Sequence, residues 1–346
     1  MKANKAIAVA MAIFLVFLAG CTGSPNQSQA SSSSKSDQVI QWDYLNIISQ
    51  DNPASKSILN FVEEVKEKTN GRLIINIREP GELPFKNDEF IRVVGENSVQ
   101  MAWGLMPAIS GDLETGAILG LPFMISNSDD LKTAMSILKP DLEAELSKYG
   151  TGLLFYYTMP NQNLWGQGQA INSIDDIKGM KMRASGAEQS DFLSMKDAFP
   201  VSINAAEVPT SLSRGVVNGV VTAGLNLLGS KWYDSLDWGY IINLQSDTIL
   251  TLVNQKALDE LPEDIRAILL ETAEKHVDLA CQLLSDLEKD ARKSLVEEHN
   301  MTIIEAPQEE VDALIDEFSD YWVDWADKRG GKVPESLQKV RQALGK

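Results

Sequence analysis

Arg183 ends the run Met180-Lys181-Met182-Arg183, in which methionines and cations alternate. In an extended chain successive side chains point to opposite faces, so Lys181 and Arg183 share one face. A guanidinium near the carboxyl end of a strand forms two parallel hydrogen bonds with a carboxylate, a planar recognition that an ammonium imitates poorly. The same pattern also fits an ion pair with an acid of the protein, the usual structural use of arginine. Ile174-Asp175-Asp176-Ile177-Lys178-Gly179 precedes it, a short helical turn with a glycine stop, and this punctuation is what makes the run a strand.

A different chemistry is written at Cys21. Lys2 and Lys5 lead into an apolar run from Ala6 to Ala19, and Leu18-Ala19-Gly20 places small residues before the cysteine. The run is well short of the roughly 20 residues that span a bilayer as a helix, and it has the anatomy of an export signal. Residues 1–20 are therefore expected to be a lipoprotein signal peptide, with Cys21 carrying the lipid after cleavage. An ordinary secretory signal with a chance cysteine is the plainer alternative. Residues 21–37, rich in Ser, Gln and Asn, are expected to be a disordered tether. The expected location is extracytoplasmic, lipid-anchored to the membrane, in a periplasm or at a cell surface.

Other reactive constellations are missing from the sequence. It has no Gly-x-Ser-x-Gly elbow, no phosphate-binding Gly-x-x-x-x-Gly-Lys-Ser/Thr loop, no Gly-x-Gly-x-x-Gly after a strand and no His-Glu-x-x-His. The acidic pairs Glu63-Glu64, Asp129-Asp130 and Glu297-Glu298 fall on polar helix faces or at helix starts, where exposed carboxylates are the default. Once Cys21 is lipidated, Cys281 has no intrachain partner, and His276 and His299 are not at metal-ligand spacing with it. Nothing singles out a catalytic group, although a pair of catalytic carboxylates need not be neighbours in the chain, and no metal and no cofactor is expected. The net charge of −18 becomes −20 when residues 1–20 are removed, because that takes Lys2 and Lys5 and no acid. Long-range repulsion then opposes nucleic acid and anionic lipid surfaces as partners. A monomer built for solubility is expected.

The elements that must position Arg183 follow from periodicity. Val39 to Leu45 alternates as a strand; Pro53 opens a helix with Ile58, Phe61, Val62 and Val65 on one face; Leu73 to Ile77 and Gln100 to Trp103 are strands around a short helix at Phe90 to Val94. A helix from Asp129 to Tyr149 leads to a strand at Gly152 to Tyr157. The polar stretch Met159 to Gln169 then interrupts before a second α/β unit, which includes strands at Val201 to Ile203 and Val217 to Thr222. A strand is expected at Leu250 to Val253, and Glu263 to His299 reads as one helix of about 55 Å at 1.5 Å per residue, long enough to run along two lobes. Such βαβ alternation implies α/β architecture with ligands beyond the carboxyl ends of the strands.

The order of these elements resembles the extracytoplasmic solute-binding proteins of tripartite ATP-independent periplasmic (TRAP) transporters, the DctP-like family. The similar stretches are Phe61-Val62-Glu63-Glu64-Val65-Lys66-Glu67-Lys68-Thr69-Asn70-Gly71-Arg72-Leu73, Leu121-Pro122-Phe123, the run from Ile174 to Arg183, Glu207-Val208-Pro209-Thr210-Ser211-Leu212 and Arg214-Gly215-Val216-Val217-Asn218-Gly219. The resemblance implies a two-lobed periplasmic-binding-protein-like α/β fold with a cleft and a long interlobe helix. Residues 38–159 with about 248–290 would form lobe I, 160–247 with about 291–330 lobe II, and 331–346 a C-terminal tail. It also implies capture of a small organic acid for a sodium-coupled permease in the membrane. A ligand-binding sensor for a membrane signalling protein is the alternative use of the same cleft, and an exported enzyme comes third. The family's signature arginine, which clasps the substrate carboxylate, matches Arg183.

Two departures narrow the ligand. Where many members have Asn-Pro, this chain has Thr222-Ala223, and Thr222 offers a single hydroxyl donor. The second arginine of the sugar-acid branch falls at Asn163. A small or more apolar monocarboxylate is therefore expected in place of a polyhydroxylated sugar acid. Trp103, Phe123, Asn161 and Asn226 are further candidates for the cleft wall; Trp103 is equally suited to stacking on a ligand or to the core. Glu207 is either a first-turn carboxylate or a contact of Arg183.

Overall fold

Residues 38–346 are described by the structure, a computed structural model; the signal segment, Cys21 and the polar stretch that follows lie outside the described residues. Among the described residues nine strands form one mixed sheet: β1 Ile40–Leu45, β2 Leu73–Arg78, β3 Met101–Leu105, β4 Thr151–Gly166, β5 Lys181–Ala184, β6 Phe199–Ser202, β7 Gly219–Thr222, β8 Trp238–Asn254 and β9 Thr302–Glu305. Their order is β2-β1-β3-β8-β4-β7-β5-β6, with β9 on β8. Two groups of short parallel strands, β2-β1-β3 and β7-β5-β6, are thus joined through two long strands. β8 pairs with β3 through Ile249 to Val253, and β4 pairs with β7 through Asn163 to Gly166. Each long strand therefore belongs to both halves of the molecule.

Those crossings are where the structure departs most from the sequence pattern. Met159 to Gln169, expected to interrupt the chain, instead continues β4 as far as Gly166, and β8 begins at Trp238, 12 residues before the expected start at Leu250. Register shifts between Thr158 and Asn161 and between Gln162 and Leu164 break the alternation that a periodicity argument needs. Asn163, fully buried, repairs the ladder there. Its Oδ1 accepts from the Ile242 and Asn243 amides at 3.0 and 2.8 Å, and its Nδ2 donates to the Asn161 carbonyl at 2.9 Å.

The helix Glu263–Glu297 has 35 residues, about 52 Å of axis at 1.5 Å per residue. Near its start Thr272 accepts from Lys68, at the end of the helix Lys56–Lys68 that covers β1 and β2. In its middle His276 is buried against Phe61 and Phe155, with both ring centroids 5.3 Å away, and burial lowers its pKa and keeps it neutral. Toward its end Glu288 accepts from the Gly224 and Leu225 amides, the start of the helix Gly224–Gly229 that follows β7. Arg292, one turn on, completes the Glu288 carboxylate at 2.7 Å. One helix so touches both strand groups, as its length implies.

Residues 331–346, expected to be a tail, include the helix Val333–Leu344, opened by Pro334 in its first turn. It packs on the helices Ser128–Ser147 and Gln308–Arg329. The latter ties the two halves together: Glu310 accepts from Ser173 and the Ile174 amide, while Trp322 donates to the Pro122 carbonyl at 2.9 Å. Among the described residues no helix is long and apolar enough to cross a membrane, and no cluster of metal-ligating side chains occurs.

Candidate ligand-binding site

Six strands end at one place. The residues just beyond β1, β2 and β3 (Ile47, Pro80, Pro107) face those just beyond β5, β6 and β7 (Ser185, Ile203, Ala223) across a cleft of about 830 Å³. Open α/β sheets bind ligands at such carboxyl ends because the loops there are free to vary while the strands fix their roots.

Arg183 lies in the wall of this cleft, 7% exposed. Its Nε donates to the Ile203 carbonyl at 2.9 Å and its Nη1 to the Val221 carbonyl at 3.3 Å, so the ends of β6 and β7 hold the guanidinium in place. Trp232 lies beneath it, 5.8 Å from the ring centroid. Nη2 meets no acceptor among the described residues, and no acid reaches ion-pair contact. Of the two uses open to this arginine, the geometry leaves it free for an anion in the cleft. Burial lowers its pKa to about 10, still charged at neutral pH.

Thr222, Asn226 and Trp103 come to the same cleft. The Asn226 amide donates to Thr222 Oγ1 at 3.1 Å, which leaves the threonine hydroxyl hydrogen available to a ligand. Asn226 Oδ1 in turn accepts from Asn52 at 3.4 Å, a hydrogen bond between the two halves. Trp103 is 1% exposed and packs in the core with its ring toward Tyr157, centroids 6.5 Å apart; it also lines the cleft, and its indole N–H has no acceptor among the described residues.

The other expected wall residues lie elsewhere. Asn163 is the buried ladder repair described above. Phe123 is core, edge-on to Phe192 and Phe318 at 6.0 and 5.6 Å, with a left-handed backbone (φ 60°) whose carbonyl accepts from Lys346 at 2.7 Å. Asn161 lines a separate pocket of about 300 Å³, beside Ser246 and Arg292. Glu207 is exposed in the turn Ala205–Glu207 and makes no contact with the Arg183 guanidinium, whose hydrogen bonds go to Ile203 and Val221.

Asp247 is the cleft residue that the sequence reading missed. It is 5% exposed in β8, its Oδ1 accepts from Gln245 Nε2 at 2.7 Å, and burial raises its pKa to about 6 despite the attraction of Arg183. The one acid of the strand β8 was the available signal, hidden because β8 was expected to start after it.

Comparison with known proteins agrees with this geometry. The family described as bacterial extracellular solute-binding protein, family 7 (DctP), matches residues 46–328. A solute-binding protein of Sulfitobacter sp. NAS-14.1 is 25% identical over 226 residues, 64% of this chain and 68% of that one. The C4-dicarboxylate-binding periplasmic protein DctP of Vibrio cholerae is 24% identical over 270 residues, 76% of each. DctP6 of Bordetella pertussis, an extracytoplasmic solute receptor binding pyroglutamic acid, superposes with TM-score 0.81 at 23% identity, covering 88% of this chain and all of that one. A TRAP solute-binding protein of Shewanella oneidensis with bound succinate gives 0.78 at 16% identity, covering 88% and 99%. These homologues are receptors and not enzymes. The match over most of the chain, on a two-lobed sheet with its arginine in the cleft, places this protein in the DctP family of TRAP-transporter solute-binding proteins.

Proposed function

We propose that this chain is a membrane-tethered receptor that captures a small monocarboxylate and delivers it to a sodium-coupled TRAP permease. The observation that carries the proposal is the buried, unpaired face of the Arg183 guanidinium in the cleft wall. One fixed guanidinium suits one carboxylate. A second ligand carboxylate directed at Asp247 would meet a like charge, which favours a monoacid over a diacid. Pyroglutamate, the acid bound by DctP6, is a monoacid of suitable size.

Capture by closure is supported by the mouth of the cleft. A methyl group added at Gly186 would lie 2.8 Å from Pro107 Cβ and 2.9 Å from its carbonyl oxygen, so the two halves already meet there. Gly186 has extended backbone (φ −159°), which any residue adopts, so the glycine is needed for the approach and not for its own conformation. Gly186→Val should therefore oppose only the closed state. With overpacking costs of about 1–3 kcal/mol, affinity should fall roughly 5-fold to 150-fold while the ligand-free melting temperature holds. Small-angle scattering and calorimetry on the variant check this; unchanged affinity would remove Gly186 from the closing contact.

The tether is proposed from the sequence. Cys21→Ser should release the protein from membranes with its ligand affinity intact. Persistence in the membrane fraction after a high-salt wash would reject lipid anchoring.

A further inference from the structure

Asp247 poses a problem that carboxylate capture alone does not solve. Its Oδ1 is held by Gln245, but Oδ2 accepts from no donor among the described residues and faces the cleft. Arg183 acts on it through charge without closing to ion-pair contact. Oδ2 is open to the cleft rather than sealed in the core, so it is the carboxylate oxygen that a ligand donor reaches, and closing the cleft on a ligand without a donor would strip its water and leave it unpaired.

We propose that Asp247 is a specificity-determining residue whose free carboxylate oxygen accepts an N–H from the bound acid, so that the ligand class is a small monocarboxylate carrying a nitrogen donor, such as a lactam acid. This rests on the reading of Arg183 as the carboxylate clamp. The guanidinium and the carboxylate line one cleft with opposite charges and without ion-pair contact, so a ligand that carries both an acid and a donor group offers each its complement. A plain hydroxyl-free acid leaves Oδ2 unpaired. A diacid directed at both residues adds repulsion. Sites built to hydrogen-bond a particular donor reject analogues that lack it far more strongly than apolar pockets reject a missing methylene.

The test compares L-pyroglutamate with 5-oxotetrahydrofuran-2-carboxylate, its ring-oxygen analogue, by calorimetry at pH 7.5 on the whole mature chain. Both keep the carboxylate and the ring, and only the first has the N–H. Wild type should prefer the lactam at least tenfold. In Asp247→Asn, whose amide can turn a donor toward the ring oxygen, the preference should shrink to within about threefold. Equal affinities in wild type, or a preference that survives in Asp247→Asn, overturns the inference while leaving the receptor reading in place. If neither compound binds but another monoacid binds in an Arg183-dependent way, the nitrogen-donor class is wrong and carboxylate capture stands. If binding of every acid is indifferent to Arg183, it is the receptor reading that fails.

Discussion

Arg183→Ala is expected to weaken monocarboxylate binding by about 2–5 kcal/mol, roughly thirtyfold to several thousandfold, because it leaves a desolvated ligand charge without its partner. The fold should survive. The guanidinium donates to the Ile203 and Val221 carbonyls, so its removal leaves two backbone acceptors short of a partner at a cost of about 1–3 kcal/mol. It breaks no ion pair, since no acid lies in contact with it. Arg183→Lys keeps the charge and loses the planar fork, and should still bind clearly more weakly than wild type. Titration calorimetry with melting curves alongside separates the two effects. A variant that melts far below wild type yet binds normally would make Arg183 a structural residue.

Asp247→Asn is expected to stabilise the ligand-free protein at neutral pH. The native carboxyl titrates near pH 6, raised from the ordinary 3.8 by burial, with Arg183 the charged group that opposes the rise. Between about pH 4 and pH 6 the native chain holds a proton that the unfolded chain has released. Stability therefore falls as pH rises through that window and levels off above it. A difference of two units corresponds to about 3 kcal/mol, which sets the scale of the gain in the variant at pH 7.5. Urea melts of both proteins from pH 4 to pH 8 check the sign: the wild-type curve should descend relative to the variant and then run parallel to it. A wild type more stable than Asp247→Asn at neutral pH would mean that the carboxylate is paid for by a structural partner. A stabilising substitution that damages recognition is the expected mark of a group retained for binding.

The helices around the first three strands and the long helix were legible because each has one solvent-facing side, so hydrophobic period reports directly on burial, and the short strands between them were legible from the turns that bound them. The strand carrying Arg183 was legible from its glycine stop and alternation. Of β4 and β8 only the apolar ends, Gly152 to Tyr157 and Leu250 to Val253, were legible, because the rest runs through the middle of the sheet and carries buried polar residues at the register shifts. Asn161, Gln162 and Asn163 look like a loop in sequence, yet Asn163 is buried precisely because its amide replaces ladder bonds that the bulge removes. Losing the first half of β8 also concealed Asp247. Asn163 and Phe123 were assigned to the cleft by family position and nearby motif, and neither argument carries information about which way a side chain points. Arg183 was placed by its position near the carboxyl end of a strand, which does.

The central claim is that the cleft recognises a carboxylate through Arg183, and it is tested most directly by titrating L-pyroglutamate and its primary amide into the wild-type protein. The two differ in charge at the one group that the guanidinium would hold. The account predicts one-to-one binding of the acid and binding of the amide at least about thirtyfold weaker. Equal affinity for acid and amide, or binding of the amide alone, would contradict it.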